Sequence, residues 1–182
     1  RDYSDYYAVI NNCNYFLSKV DTTVLVSNQK VMLREYAVVK GIRAWTYLQM
    51  ALVYKQVPFI TKPILSVVDA EEDYPKYDLE QMCDYFIADL LPYVDTELPN
   101  YGSISGIDSK SMFFPIRLLI GDMYLWKQDY KNAYRYYAEY LYREDLGTLS
   151  GGSQVTSLNP TTNDISGISI SLSTAEEVPP IW

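Results

Sequence analysis

The chain has 182 residues, 48% of them hydrophobic and 21% charged, with a formal net charge of −8 and no histidine. The acidic balance, with no cluster of Lys and Arg, excludes the counterion-displacing surface that nucleic acid requires. The lack of histidine removes Ser-His-Asp and Cys-His catalysis from within the chain and takes away the commonest metal ligand.

A chain of this length buries roughly 70% of its unfolded surface, enough for one domain with a core. No apolar run approaches the roughly 18 residues that span a bilayer. Cys13 and Cys83 lie too far apart for a zinc site of the usual spacing. Both fall on apolar helical faces and are expected as buried free thiols, with a disulfide as the alternative that only geometry decides. No catalytic residue, metal or cofactor is expected.

The first predicted helix runs from Asp2 to about Lys19, because Tyr6, Ile10, Cys13 and Leu17 repeat on one face. A long second helix is expected from about Asn28 to Tyr54. Its predicted apolar stripe is Met32, Tyr36, Val39, Ile42, Trp45 and Leu48, and the stripe places Trp45 in the core. Ala37, Gly41, Ala44 and Ala51 beside it predict close approach of a neighbouring helix. Arg34, Lys40 and Arg43 are expected to face water or neighbouring acids. Val57-Pro58 forces an extended turn, since the residue before proline leaves the α region. The loop to Tyr77 carries the charge run Glu71-Glu72-Asp73, read as a solvated face.

Asp78 and Gln81 form a capping-box pair at the start of a third helix ending near Leu91, with Leu79, Met82, Cys83, Phe86, Ile87 and Leu90 buried. Pro92 and Pro99 bracket the next loop. Ser109 or Ser111 is expected to cap a fourth helix over Met112–Trp126, with Trp126 in the core. After a turn at Gln128-Asp129, a fifth helix covers Tyr130 to Arg143. From Gly147 the composition turns to Gly, Ser, Thr, Asn and Pro. The reading is a helical domain over 1–146 and a loop-rich tail over 147–182. One or two short strands are expected in that tail near Ile168, Ile170 and Leu172.

Helices four and five carry the spacing of a tetratricopeptide repeat: Gly121, Tyr124, then Ala133 and Tyr137. Arg117 stands where the motif often has Trp, and Asp145 where it often closes on Pro. A larger pattern accompanies this. Ile10-Asn11-Asn12-Cys13-Asn14-Tyr15-Phe16-Leu17 resembles the "NCN" helix of the SusD/RagB family. Ile42-Arg43-Ala44-Trp45-Thr46-Tyr47-Leu48 resembles its "LRAWxYL" stretch, and Val57-Pro58-Phe59-Ile60-Thr61-Lys62-Pro63-Ile64 is similar to the stretch after it. Asp89-Leu90-Leu91-Pro92 and the run Gly121 to Ala133 complete the order, covering about Tyr3 to Arg143. Val38 and Lys55 depart from the Glu and Gly common in that family, and the chain is much shorter than its members.

The resemblance implies an all-α, TPR-like helical repeat (an alpha-alpha superhelix) of SusD type with a short loop-rich tail. It implies a surface-exposed outer-membrane lipoprotein that passes an oligosaccharide or peptide ligand to a TonB-dependent, SusC-like transporter without covalent chemistry. The lipid-bearing cysteine of such proteins lies at the mature N-terminus, and this chain does not carry that segment, since Cys13 sits inside the first helix. The rival expectation is a TPR-like protein–protein adaptor without sugar binding. A hydrolase would need two carboxylates across a cleft, which Glu71, Glu72 and Asp73, adjacent in sequence, do not supply.

Glycan recognition needs aromatic platforms beside polar groups. Asp73, Tyr74, Tyr77, Asn100 and Tyr101, in polar loops, and the terminal Trp182 are therefore the ligand-binding candidates. Loop anchoring is the plain structural alternative for each.

Overall fold

The computed structural model describes residues 3–148. The chain divides into two compact units, Arg1–Leu141 and Tyr142–Trp182. The helical core and the candidate site belong to the first unit. The predicted strands near Ile168 and the candidate Trp182 lie outside the described residues. The described fold is mainly helical. It comprises α1 (Ser4–Lys19), α2 (Leu33–Val53), a single turn α3 (Val67–Ala70), α4 (Leu79–Leu90), α5 (Ile116–Trp126) and α6 (Tyr130–Thr148). Three two-stranded antiparallel ribbons connect them: β1 (Leu25–Val26) with β2 (Gln29–Lys30), β3 (Val57–Pro58) with β4 (Lys76–Tyr77), and β5 (Ser103–Ile104) with β6 (Ile107–Asp108). No helix among the described residues is long and apolar enough to cross a membrane.

α1 follows its periodicity, burying Ile10 and Cys13 together with Asn14. α4 does the same with Met82, Cys83, Phe86, Ile87 and Leu90. Its capping box is present: the Gln81 N–H donates to Asp78 Oδ1 at 2.9 Å, and the Asp78 N–H donates to Gln81 Oε1 at 3.1 Å. Cys13 and Cys83 are both buried and free. Burial pushes the Cys83 thiol up to about 12.

α2 departs from expectation at its start and in its buried face. It begins at Leu33, because Ser27 and Asn28 both take left-handed φ values of 52° and 63° in the β1–β2 turn. Such paired positive φ values match the twist of a tight hairpin, and Asn tolerates them better than most residues. Of the predicted stripe only Leu48 is fully buried, and Trp45 is 43% exposed. The residues that are buried are Ala37, Val38, Gly41, Ala44, Tyr47, Met50 and Ala51, with Lys40, Arg43 and Thr46. α2 packs against α1, α4 and α5. A helix enclosed on three sides does not show a single apolar stripe.

The fourth predicted helix also starts later. Pro115 is itself extended, with φ −63° and ψ 133°, and becomes the N-cap of α5. Ser109 and Ser111 lie instead in a 3₁₀ turn capped by Asp108. Trp126 at the end of α5 is 51% exposed, so neither it nor Trp45 is a core residue. α6 continues past Arg143 to Thr148.

The core gathers between α2, α4 and α5 around Tyr47, Phe86, Met50, Met82, Leu90, Ile120 and Met123. Tyr47 stacks on Phe86 at 5.5 Å, and Phe59 stacks on Tyr77 at 4.3 Å. α6 meets α5 through Tyr136 stacked on Tyr124 at 5.5 Å and through buried Arg117, which pairs with Asp95 and Glu139.

The glycines of α2 and α5 behave oppositely. A Cβ on Gly121 would stand 2.7 Å from the Tyr137 ring, so α5 and α6 touch there. A Cβ on Gly41 would meet only Ile116, at 3.9 Å, so Gly41 does not mark the close approach expected of it. Gly121→Ala should therefore destabilise by about 1–3 kcal/mol through overpacking. Gly41→Ala should stabilise by up to about 1 kcal/mol through helix propensity. Urea unfolding of the two variants checks this, and like signs would contradict the packing.

Candidate functional site

Polar side chains that the sequence offers singly are joined in the structure. Asn14, fully buried on α1, donates through Nδ2 to the carbonyls of Ile60 (2.9 Å) and Lys62 (3.1 Å). Its Oδ1 accepts from Arg43 Nη1 of α2 at 2.9 Å. Arg43 Nη2 reaches Asp89 Oδ2 of α4 at 3.1 Å, and Lys40 donates to the other oxygen of Asp89. Asn11, one turn before Asn14, clasps Ile64 twice: its Nδ2 donates to the Ile64 carbonyl and its Oδ1 accepts the Ile64 N–H. The Tyr47 hydroxyl donates to the Ile60 carbonyl (2.9 Å) and accepts the Ile60 N–H (2.8 Å), while the Tyr7 hydroxyl donates to the Pro58 carbonyl. Pro58 and Phe59 still lie beside β4, the Phe59 N–H donating to the Pro75 carbonyl at 2.7 Å. From Ile60 to Ile64, side chains of α1 and α2 take the place of a neighbouring strand.

A cleft of about 270 Å³ opens beside this network. Asn14 and Ser18 of α1 form one wall, and Tyr36, Lys40 and Arg43 of α2 another. Tyr85 and Asp89 of α4 close it, with exposed Thr61 at the rim. The Lys40 ammonium lies 5.5 Å from the ring centroids of both Tyr36 and Tyr93. Edge contacts with Phe59 (4.6 Å) and Phe86 (5.1 Å) fix the Tyr85 ring.

The loop candidates fall into two separate places. Tyr74 donates its hydroxyl to the Asp69 carbonyl at 2.7 Å, and Lys62, paired with Glu72, sits over its ring at 5.6 Å. Asp73 beside it is exposed. Tyr77, in β4, is half-buried on Phe59. Tyr101 is 57% exposed and donates to Glu35 Oε1 at 2.8 Å. Asn100 accepts the Gly102 N–H and shapes that turn. Phe59 packs on Tyr47. Glu35 and Tyr47, the α2 anchors of the two groups, are separated by roughly 18 Å at about 1.5 Å per residue. Tyr74, Tyr77 and Asp73 therefore form one neighbourhood, and Asn100 with Tyr101 another.

Arg34, Lys40 and Arg43 meet neighbouring acids as expected, Arg34 at Glu97 and the other two at Asp89. Sequence reasoning did not name Asp89 as the shared partner, or Tyr36 and Tyr85 as walls of a cleft. The available signal was two cations three residues apart within an otherwise apolar helix. It also missed the exposed pair of Trp45 and Phe114, whose rings lie 5.8 Å apart.

No protein-family model, no curated protein and no solved structure matches this chain. The SusD/RagB resemblance rests on its motif residues alone.

Asp89 bonds two largely buried cations at once. Asp89→Ala should therefore cost about 3–5 kcal/mol, whereas replacing Lys40, Arg43 and Asp89 together by apolar residues should restore part of it. The remainder is the buried Asn14 Oδ1 left without its Arg43 donor. Chemical denaturation of both variants measures this, and a loss below about 1 kcal/mol for Asp89→Ala would disprove the network's structural role. The cap of α3 gives a pH-dependent expectation. Asp69 Oδ2 accepts from the Leu65 N–H, the Ser66 N–H and the Ser66 hydroxyl. These bonds, that from Leu65 foremost, hold its carboxyl below the usual carboxylate range. The capping contribution is then complete above the ordinary carboxylate pKa and is lost as pH falls through the lower, folded value. Methyl NMR signals of Val67 and Val68 should titrate with a midpoint below that of an unperturbed Asp. A midpoint at or above it would contradict the cap.

Proposed function

We propose that this chain is the TPR-like helical portion of a SusD-type cell-surface protein that binds glycans and works with a TonB-dependent outer-membrane transporter. In this reading it performs no covalent chemistry and is held at the outer-membrane surface as a lipoprotein.

One observation carries the reading. The stretches that resemble the family meet in space. Asn11 and Asn14 come from the first stretch, Arg43 and Tyr47 from the second, Ile60, Lys62 and Ile64 from the third, and Asp89 from the fourth. All belong to the hydrogen-bonded network around the Pro58–Ile64 segment. Motif residues that hold one another are the kind a shared fold would keep together, and chance matches scattered along a chain have no reason to converge. The TPR-like part of the reading is supported by the α5–α6 pair, where Gly121 admits the Tyr137 ring and Ala133 is buried. Aromatic rings beside polar groups, exposed at Tyr101 and partly buried at Tyr74 and at Tyr36 and Tyr85 in the cleft, suit sugar rings.

The second reading, a protein–protein adaptor, is favoured by the exposed Trp45–Phe114 pair, since large apolar rings on a surface commonly mark partner contacts. A glycan array followed by calorimetry separates the two, with Tyr74→Ala and Tyr101→Ala alongside. Oligosaccharide binding weakened by about tenfold or more in either variant is the expected result. Absence of all glycan binding, with peptide binding sensitive to Trp45→Ala, would replace the proposal by the adaptor.

A further inference from the structure

We infer that the cleft between α1, α2 and α4 is a subsite for one acidic sugar ring, a hexuronate, whose carboxylate faces Lys40 and Arg43. The inference rests on the glycan-binding reading above and names the chemistry and the place of one contact.

Size limits the occupant first. At about 270 Å³ the cleft falls just below the roughly 300–1,000 Å³ of pockets that enclose drug-sized ligands. That is room for about one ring, and the open rim leaves any further sugars of a chain outside the cleft. Charge then selects among rings. Two cations, Lys40 and Arg43, line the cleft with one acid, Asp89, and both are already bonded to it. One positive charge is left over among the lining groups. The two cationic side chains are only 10% and 5% exposed, so water screens that surplus poorly. Tyr36 and Tyr93 offset part of it through their ring faces. Arg43 keeps a further sign of incomplete pairing: its buried Nε has no hydrogen-bond partner. A buried charge without its full complement is unfavourable, and an incoming carboxylate supplies the missing negative charge.

The remaining walls suit the rest of the ring. The side chain of Asn14 is fully engaged, with both its oxygen and its amide nitrogen bonded, and so serves as floor. Tyr85, held edge-on by Phe59 and Phe86, gives a fixed aromatic side. Ser18 and Thr61 place hydroxyls at the exposed rim, within the same cleft.

The test uses the chain as it stands, with glucuronate, galacturonate, glucose, galactose and acetate as separate probes in saturation-transfer NMR and calorimetry. A uronate should bind at least about tenfold more tightly than its neutral hexose and than acetate, and more weakly as salt is raised. Ser18→Trp, at an exposed position, should block the cleft without disturbing the network. Lys40→Met leaves the Arg43–Asp89 pair balanced and should erase the preference for uronate over hexose. Near-UV circular dichroism establishes that both variants are folded. Equal binding of uronate and hexose, acetate binding as tight as uronate, or uronate binding untouched by Ser18→Trp would each overturn the inference. If no uronate binds while oligosaccharides still bind, the subsite is disproved and the glycan-binding reading stands. If nothing binds, both fall.

Discussion

The arrangement hangs on the contact of Asn14 with Arg43 and of Arg43 with Asp89. These two links tie three helices and the extended Pro58–Ile64 stretch into one piece. A buried ion pair adds little net stability, because desolvation offsets much of the Coulomb gain. Its effect is on choice. Any packing that moves α4 away from α2 strands Lys40 and Arg43 with no acid. Any rotation of α1 takes the Asn14 donor from the Lys62 carbonyl and leaves the Ile60 carbonyl with Tyr47 alone. An unpaired buried polar group is costly, so the competing arrangements are penalised more than the native one is favoured. The apolar core around Tyr47, Phe86 and Met50 supplies the bulk of the driving force, and the polar network selects which faces meet.

Much of the helical framework was legible in the chain. α1 and α4 each turn one side to the core, so their apolar spacing named most of the buried residues, while Tyr6, Leu17 and Leu79 are only partly buried and the buried Asn14 was not foreseen. The Asp78–Gln81 box marked a helix start because both halves of that device are local. α2 was misread for a physical reason: three neighbours enclose it, and its most buried residues are small or charged ones that a search for large apolar side chains passes over. Trp45 and Trp126 were assigned to the core on hydrophobicity alone, although a large ring at a helix flank or end is often left half-exposed. The two hairpins at Ser27-Asn28 and Ser105-Gly106 were missed because the flanking pairs are too short to show alternation. Their turn residues were the available signal.

The candidate site was less legible than the fold. Tyr74 and Tyr101 could be picked out as loop aromatics, but the partners that orient them, Asp69 and Glu35, are set by long-range folding or by a turn invisible in composition. The cleft could not be read at all from the sequence. Its walls come from residues 14 to 89, and its charge depends on which acid meets which cation. Tyrosine, the unusual residue of this chain at 19 copies, serves several ends. Tyr47 and Tyr7 bond backbone, Tyr136 and Tyr124 join helices, and Tyr36 and Tyr93 embrace a cation.

The way the Pro58–Ile64 stretch is held has a consequence for how such a protein can change. Asn11, Asn14, Tyr7 and Tyr47 grip its main chain, and a main-chain grip is blind to side-chain identity. Exposed Thr61 and Lys62 can therefore be exchanged with little penalty to folding, so long as the carbonyls and the Ile60 and Ile64 amides stay in place. Selection for a new binding partner can act on these outward positions while the clasp beneath them stays under purifying constraint. The segment is a replaceable label on a fixed mount, and divergence among descendants of this chain should accumulate there before it reaches the four residues that hold it.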